Sequence, residues 1–88
     1  MSRKRSDMEI SADILRVAKG GARKSHIVYK ANLNFKIVEK YLDLLRKSNL
    51  ISGSYEDRLF KTTDKGLKYL DHFEGFQKFT KESAQLTL

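Results

Sequence analysis

The side chains with chemistry to offer in this chain are cations, and they are unevenly placed. Residues 23 to 47 carry Arg23, Lys24, Lys30, Lys36, Lys40, Arg46 and Lys47 against Glu39 and Asp43, a net of +5 in a chain of formal charge +7. Arg3, Lys4 and Arg5 add three more, whereas residues 6 to 22 come to −1 and residues 48 to 88 to zero. A basic face confined to one segment implies an anionic polymer as partner, because cations ranged along one surface neutralise successive phosphates. Groups for acid-base or covalent work are few: there is no cysteine, and His26 and His72 are the two imidazoles. With no glycine-rich phosphate loop and no carboxylate pair in an evident cleft, nothing implies an enzyme, a cofactor or a metal centre.

The elements that must position these cations are legible from periodicity. Ser6 and Glu9 are spaced as a capping box, and Ile10, Ile14, Val17 and Ala18 recur at helical intervals up to Lys19, where Gly20 and Gly21 stop the helix. A second, shorter helix is expected from about Ser25, its N-cap, to Ala31, burying Ile27, Val28 and Ala31. Asn32, Leu33 and Asn34 make a tight corner, since asparagine tolerates the left-handed backbone such turns need. In the third helix Phe35, Val38, Tyr41, Leu42 and Leu45 fall on one face, and Lys36, Lys40, Asp43 and Lys47 on the other. Leu50 to Tyr55 and Arg58 to Thr62 read as a β-hairpin with Glu56 and Asp57 at its tip. Thr63 or Asp64 then caps a final helix in which Leu67, Leu70, Phe73, Phe76 and Phe79 recur every three residues. That spacing drifts around an α-helix, so Leu67 and Leu70 are expected on the domain and the phenylalanines elsewhere.

The order helix, helix, turn, helix, hairpin, helix, together with the stretches Ser25-His-Ile-Val-Tyr-Lys-Ala-Asn-Leu-Asn-Phe35, Tyr41-Leu-Asp-Leu-Leu, Leu50-Ile51 and Phe60-Lys-Thr-Thr-Asp-Lys-Gly66, resembles the small archaeal winged helix-turn-helix DNA-binding proteins of about ten kilodaltons. These are of the chromatin-associated or transcription-regulator type. The resemblance implies a mainly α fold with a small β-hairpin and an extended C-terminal helix. It also implies a homodimer joined through that helix, with the third helix offered to the DNA major groove. Two features depart from the family pattern: Thr62 stands where a leucine is usual, and the last helix reads as short, aromatic and interrupted by Gly75.

On this reading Asn34, Lys36, Ile37 and Lys40 meet the groove, because the N-terminal end of a recognition helix approaches the base edges. The bland alternative is a solvated face laced by Lys36 with Glu39 and by Asp43 with Lys47. Arg23, Lys24, Ser25, His26 and Lys30 surround the start of the second helix and suit backbone phosphate. Arg58 and Lys61 would let the hairpin touch an adjacent groove, although its acidic tip repels phosphate. Phe73, Phe76 and Phe79 are the expected dimer interface.

A single domain is all that 88 residues allow, and so small a core favours pairing with a second copy. The divisions expected are a basic arm at 1–5, the winged domain at 6–63, a dimerisation helix at 64–83 and a frayed tail at 84–88. With no apolar run of membrane length and no secretory pattern, an intracellular, nucleoid-associated protein is expected. A winged helix can also serve as a protein-docking module without nucleic acid, but docking has no need of this charge asymmetry. RNA binding would call for exposed aromatics beside the basic face, and the unassigned aromatics lie in the charge-neutral half of the sequence.

Overall fold

A computed structural model describes the backbone of residues 5–86 and the side chains of residues 5–76. The elements run α1 (Asp7–Val17), α2 (Lys24–Lys30), α3 (Phe35–Lys47), β1 (Ile51–Ser54), β2 (Leu59–Thr62) and α4 (Asp64–Leu86). The fold is therefore mainly helical with one antiparallel hairpin, in the order expected.

Local chemistry sets most of the boundaries. Ser6 Oγ accepts from the Glu9 amide at 3.1 Å while Glu9 Oε1 accepts from the Ser6 amide at 3.2 Å, so the capping box forms. After α1 the chain reverses at Gly21, whose φ of +97° is open to glycine at little cost. Asn32 takes a left-handed φ of 54° at the corner between α2 and α3. Arg23, and not Ser25, is the N-cap of α2, and it makes no side-chain capping bond. The strands pair from Ile51 with Thr62 to Ser54 with Leu59. Ser54 and Asp57 close the turn, with the Arg58 amide donating to the Ser54 carbonyl at 3.0 Å. Gly53 is obligatory here, since at φ +126° an added Cβ would lie 2.1 Å from the Leu59 carbonyl oxygen. Ala22 bridges Phe60 through reciprocal bonds of 2.8 Å, which gives β2 a second neighbour that one residue of sequence does not announce.

One core collects Ala12, Ile14 and Leu15 from α1, Ile27 from α2, Val38, Tyr41, Leu42 and Leu45 from α3, Ile51 and Phe60 from the hairpin, and Leu70 and Phe73 from α4. Three expectations are corrected here. Phe35 is 53% exposed, because the first residue of α3 sits at the rim of the apolar arc. Phe73 is 9% exposed and belongs to the monomer core, which removes it from the expected dimer interface. Leu67, expected to anchor α4, is 37% exposed. The buried stripe of α4 is Gly66, Tyr69, Leu70 and Phe73, at i, i+3, i+4 and i+7, so the three-residue spacing of leucine and phenylalanine was not the packing period. Gly66 opens that stripe because a Cβ there would lie 2.2 Å from the Leu50 carbonyl oxygen. Nor is α4 short: it passes Gly75 without a break and runs to Leu86, beyond the expected end at 83. Phe79 lies outside the described side chains.

The C-terminal carbonyls of the first three helices, which no intrahelical N–H reaches, are met by donors from distant elements. Thr62 is buried and its hydroxyl donates to the Leu15 carbonyl at 2.6 Å, while its amide reaches the Ala18 carbonyl at 3.0 Å. A leucine there could make the amide bond but not the hydroxyl bond. Arg5 donates to the carbonyls of Ala31 and Asn32, and to Asp13, each at 2.8 Å. Arg5 is thus no part of a free arm, and residues 1–4 lie outside the described residues. Lys65 and Thr63 donate to the carbonyls of Ser48 and Asn49 at 2.9 and 2.7 Å. Thr63 also accepts from the Gly66 amide at 3.0 Å, which makes it the cap of α4. The Tyr41 hydroxyl donates to Asp7, and that bond, burial and the Asp7 charge push its pKa up to about 12.

Candidate nucleic-acid interface

The expected ligands fall on α2, α3 and the hairpin, and the structure sorts them by what already holds them. Lys36 and Lys40 stand exposed on the outer face of α3 and form no ion pair among the described residues. Lys40 does lie 5.7 Å from the centroid of the Tyr41 ring. The bland lacing of this face does not form: Glu39 pairs with Lys24 of α2 and leaves Lys36 without a carboxylate. Asn34 is exposed, but its Oδ1 is engaged as the α3 cap, accepting from the Ile37 amide at 2.8 Å. Ile37 is half-buried, with part of its side chain packed against the core.

On α2, Ser25, His26 and Lys30 are exposed, as expected for groups that approach phosphate. Lys24 is different. Its ammonium is paired with Glu39 and lies 5.3 Å from the Phe35 centroid and 5.6 Å from the Tyr55 centroid, so it is a strut joining α2, α3 and the hairpin. Arg58 and Lys61 are exposed on the hairpin, with Arg58 at the left-handed φ of 56° that ends the turn.

Neither α2 nor α3 carries an acidic residue in its first turn, whereas α1 carries Asp7 and Glu9 there. Lys24 at the start of α2 is met by Glu39, whereas Lys36 stands at the positive end of the α3 dipole, an arrangement that an arriving anion relieves.

Three aromatic residues join this face that sequence periodicity did not assign to it. Tyr29 is 78%, Phe35 53% and Tyr55 43% exposed. Periodicity placed Phe35 in the core, Tyr29 reads in sequence as either core or a phosphate donor through its hydroxyl, and nothing in the pattern around Tyr55 marked it as exposed. Tyr55 rests edge-to-face on Phe60, with centroids 5.3 Å apart, and Arg46 lies 5.8 Å from its centroid. Burial raises the Tyr55 pKa, with Asp43 and Glu39 adding to the shift and Lys24 and Arg46 opposing it.

A family model described as winged helix-turn-helix matches residues 4–81. The chain belongs to the winged helix-turn-helix family. In that frame α2 and α3 are the helix-turn-helix, with α3 in the recognition position, and β1 and β2 are the wing. The chain is 36% identical over 76 residues to an uncharacterised protein of Methanocaldococcus jannaschii, covering 84% of this chain and 76% of that one. It is also similar to the crystal structure of Sso10a-2, described as a DNA-binding protein from Sulfolobus solfataricus, with a TM-score of 0.81 and 29% identity over 94% of this chain and 90% of that one. Both relatives come from archaea, as the sequence resemblance implied. Among the described residues, no helix is long and apolar enough to cross a membrane, and no group of three His, Asp or Glu side chains could hold a metal ion.

Proposed function

We propose that this protein binds double-stranded DNA with α3 in the major groove, as a transcription regulator or a DNA-organising protein of the nucleoid. The observation that carries the reading is the outer face of α3, where Lys36 and Lys40 stand exposed while the nearby carboxylate of Glu39 is drawn away to Lys24. Exposed lysines without ion pairs on a recognition helix suit phosphates and base-edge acceptors. Ser25, His26 and Lys30 extend the face along α2, and Arg58 and Lys61 extend it to the wing. The description of Sso10a-2 as a DNA-binding protein supports the same reading. Regulation and DNA organisation use one surface and differ in sequence preference.

Lys36→Ala with Lys40→Ala tests it. The double variant is expected to weaken duplex binding about tenfold or more, at roughly the loss of two phosphate contacts, with its thermal midpoint unchanged. Normal binding by this variant in a fluorescence titration would remove α3 from the interface.

A homodimer through α4 belongs to this proposal. Phe76 is 66% exposed on a helix of 23 residues, and two-fold pairing is the common way for a soluble protein to cover an apolar surface on such a helix. Phe76→Asp is expected to convert a dimer of about 20 kDa into a monomer of 10.2 kDa and to weaken DNA binding by loss of bivalency. Sedimentation equilibrium reads the mass. A wild-type protein still monomeric at about 100 μM would end the dimer.

A further inference from the structure

We propose that the basic face also receives unpaired DNA bases, with Phe35 and Tyr55 as stacking platforms and Arg23 and Arg58 as flanking phosphate contacts. The inference rests on the DNA-binding reading and narrows its ligand. Phe35 and Tyr55 line a hollow of about 300 Å³ together with Arg23, Lys24, Ser25 and Arg58. Both rings are about half exposed, and both are oriented before any ligand arrives. The Lys24 ammonium stands over both rings, within 5.6 Å of each centroid, and is itself held by Glu39. Tyr55 also has Arg46 at 5.8 Å and is backed by Phe60, which is 1% exposed, so a base would stack on the ring surface that these groups leave in water. Rings held in this way lose little conformational freedom on binding.

A matched duplex gives such rings little to do. Its base faces are stacked on one another and only their edges reach the grooves, so an aromatic ring beside it finds no face to stack on. An unpaired base offers that face, and aromatic platforms within a cationic groove are how single strands are held without regard to sequence. The cations are present: among the described residues neither Arg23 nor Arg58 has an ion pair. A second hollow, lined by Arg23, Ser25, His26, Tyr29 and Leu59, adjoins the first through Arg23 and Ser25. Tyr29 gives it a further exposed ring, so a strand leaving Phe35 and Tyr55 continues along the same groove. The surrounding positive charge is what assigns these exposed rings to a polyanion and not to an apolar protein surface.

Fluorescence anisotropy at one fixed salt concentration tests this with four probes: a matched duplex, the same duplex with a central unpaired tract, the corresponding single DNA strand, and the RNA of that sequence. Wild-type protein is expected to bind the unpaired-tract duplex about tenfold or more tightly than the matched one, as stacking of one or two bases implies. Tyr55→Phe should keep that preference. Tyr55→Leu and Phe35→Leu should each reduce the ratio of unpaired-tract to matched-duplex affinity. Equal wild-type affinity for the matched and unpaired-tract duplexes overturns the inference and leaves the duplex-binding reading standing. Absence of binding to every probe removes both. Tighter binding of RNA than of the DNA strand overturns the assignment to DNA. If a leucine variant fails to fold, the wild-type comparison still decides.

Discussion

Affinity for duplex DNA is expected to fall about a hundredfold between roughly 50 and 200 mM salt. The estimate follows from counterion release: each phosphate neutralised contributes about −0.9 to the slope of log affinity against log salt, so about four contacts give a slope near −3.6. Arg23, Lys30, Lys36, Lys40, Arg58 and Lys61 are exposed cations with no ion pair among the described residues, and about four of them are expected to reach phosphate at once. Lys24 is left out of that count because Glu39 already neutralises it. Arg5 is left out because Asp13 and two carbonyls hold it. A dimer placing two such faces on one duplex would steepen the slope further. Anisotropy titrations at several salt concentrations measure it, and a flat response would end the DNA-binding proposal.

Leu42→Ala is expected to cost about 2–5 kcal/mol of folding stability, the range for truncating a fully buried leucine. Leu42 is 0% exposed and lies among Val38, Leu45 and the other members of the single core. In a domain of this size such a loss lowers the thermal midpoint by roughly 10–30 °C, a large share of a marginal stability. The Lys36 and Lys40 variants should leave the midpoint in place. The two classes of variant therefore separate on a melting curve: one loses the fold, the other loses the ligand. A Leu42→Ala protein that melts within about 3 °C of wild type would show that this core closes over the cavity, contrary to the packing described.

Local signals and tertiary arrangement divide the rest. The capping box at Ser6 and Glu9, the left-handed Asn32 and the acidic hairpin tip involve groups a few residues apart, so their chemistry was legible in the chain itself. The buried face of α3 beyond its first residue was legible for the same reason, since Val38, Tyr41, Leu42 and Leu45 share one arc of a helix whatever it packs on. Net charge was legible too, and with it the segment proposed to face a polyanion.

What no local pattern carried was which partner each exposed group would find. Glu39 had a lysine three residues away and paired instead with Lys24, fifteen positions earlier, because α2 crosses the start of α3. Arg5 reads as part of a basic arm and acts as a clamp on the carbonyls ending α2. Thr62 reads as a departure from the family and serves as a cap on α1. Phe73 and Phe35 both left their expected places, because burial on α4 follows Gly66, Tyr69, Leu70 and Phe73, and because a helix's first residue lies at the edge of its packed arc. The sequence by itself determined the order of the elements, the apolar faces of α1 and α3 and the location of the charge, all set by interactions within one turn or one helix. Only the tertiary structure decided which cations remain unneutralised and which aromatic rings remain in water, because both depend on contacts between residues far apart in the chain.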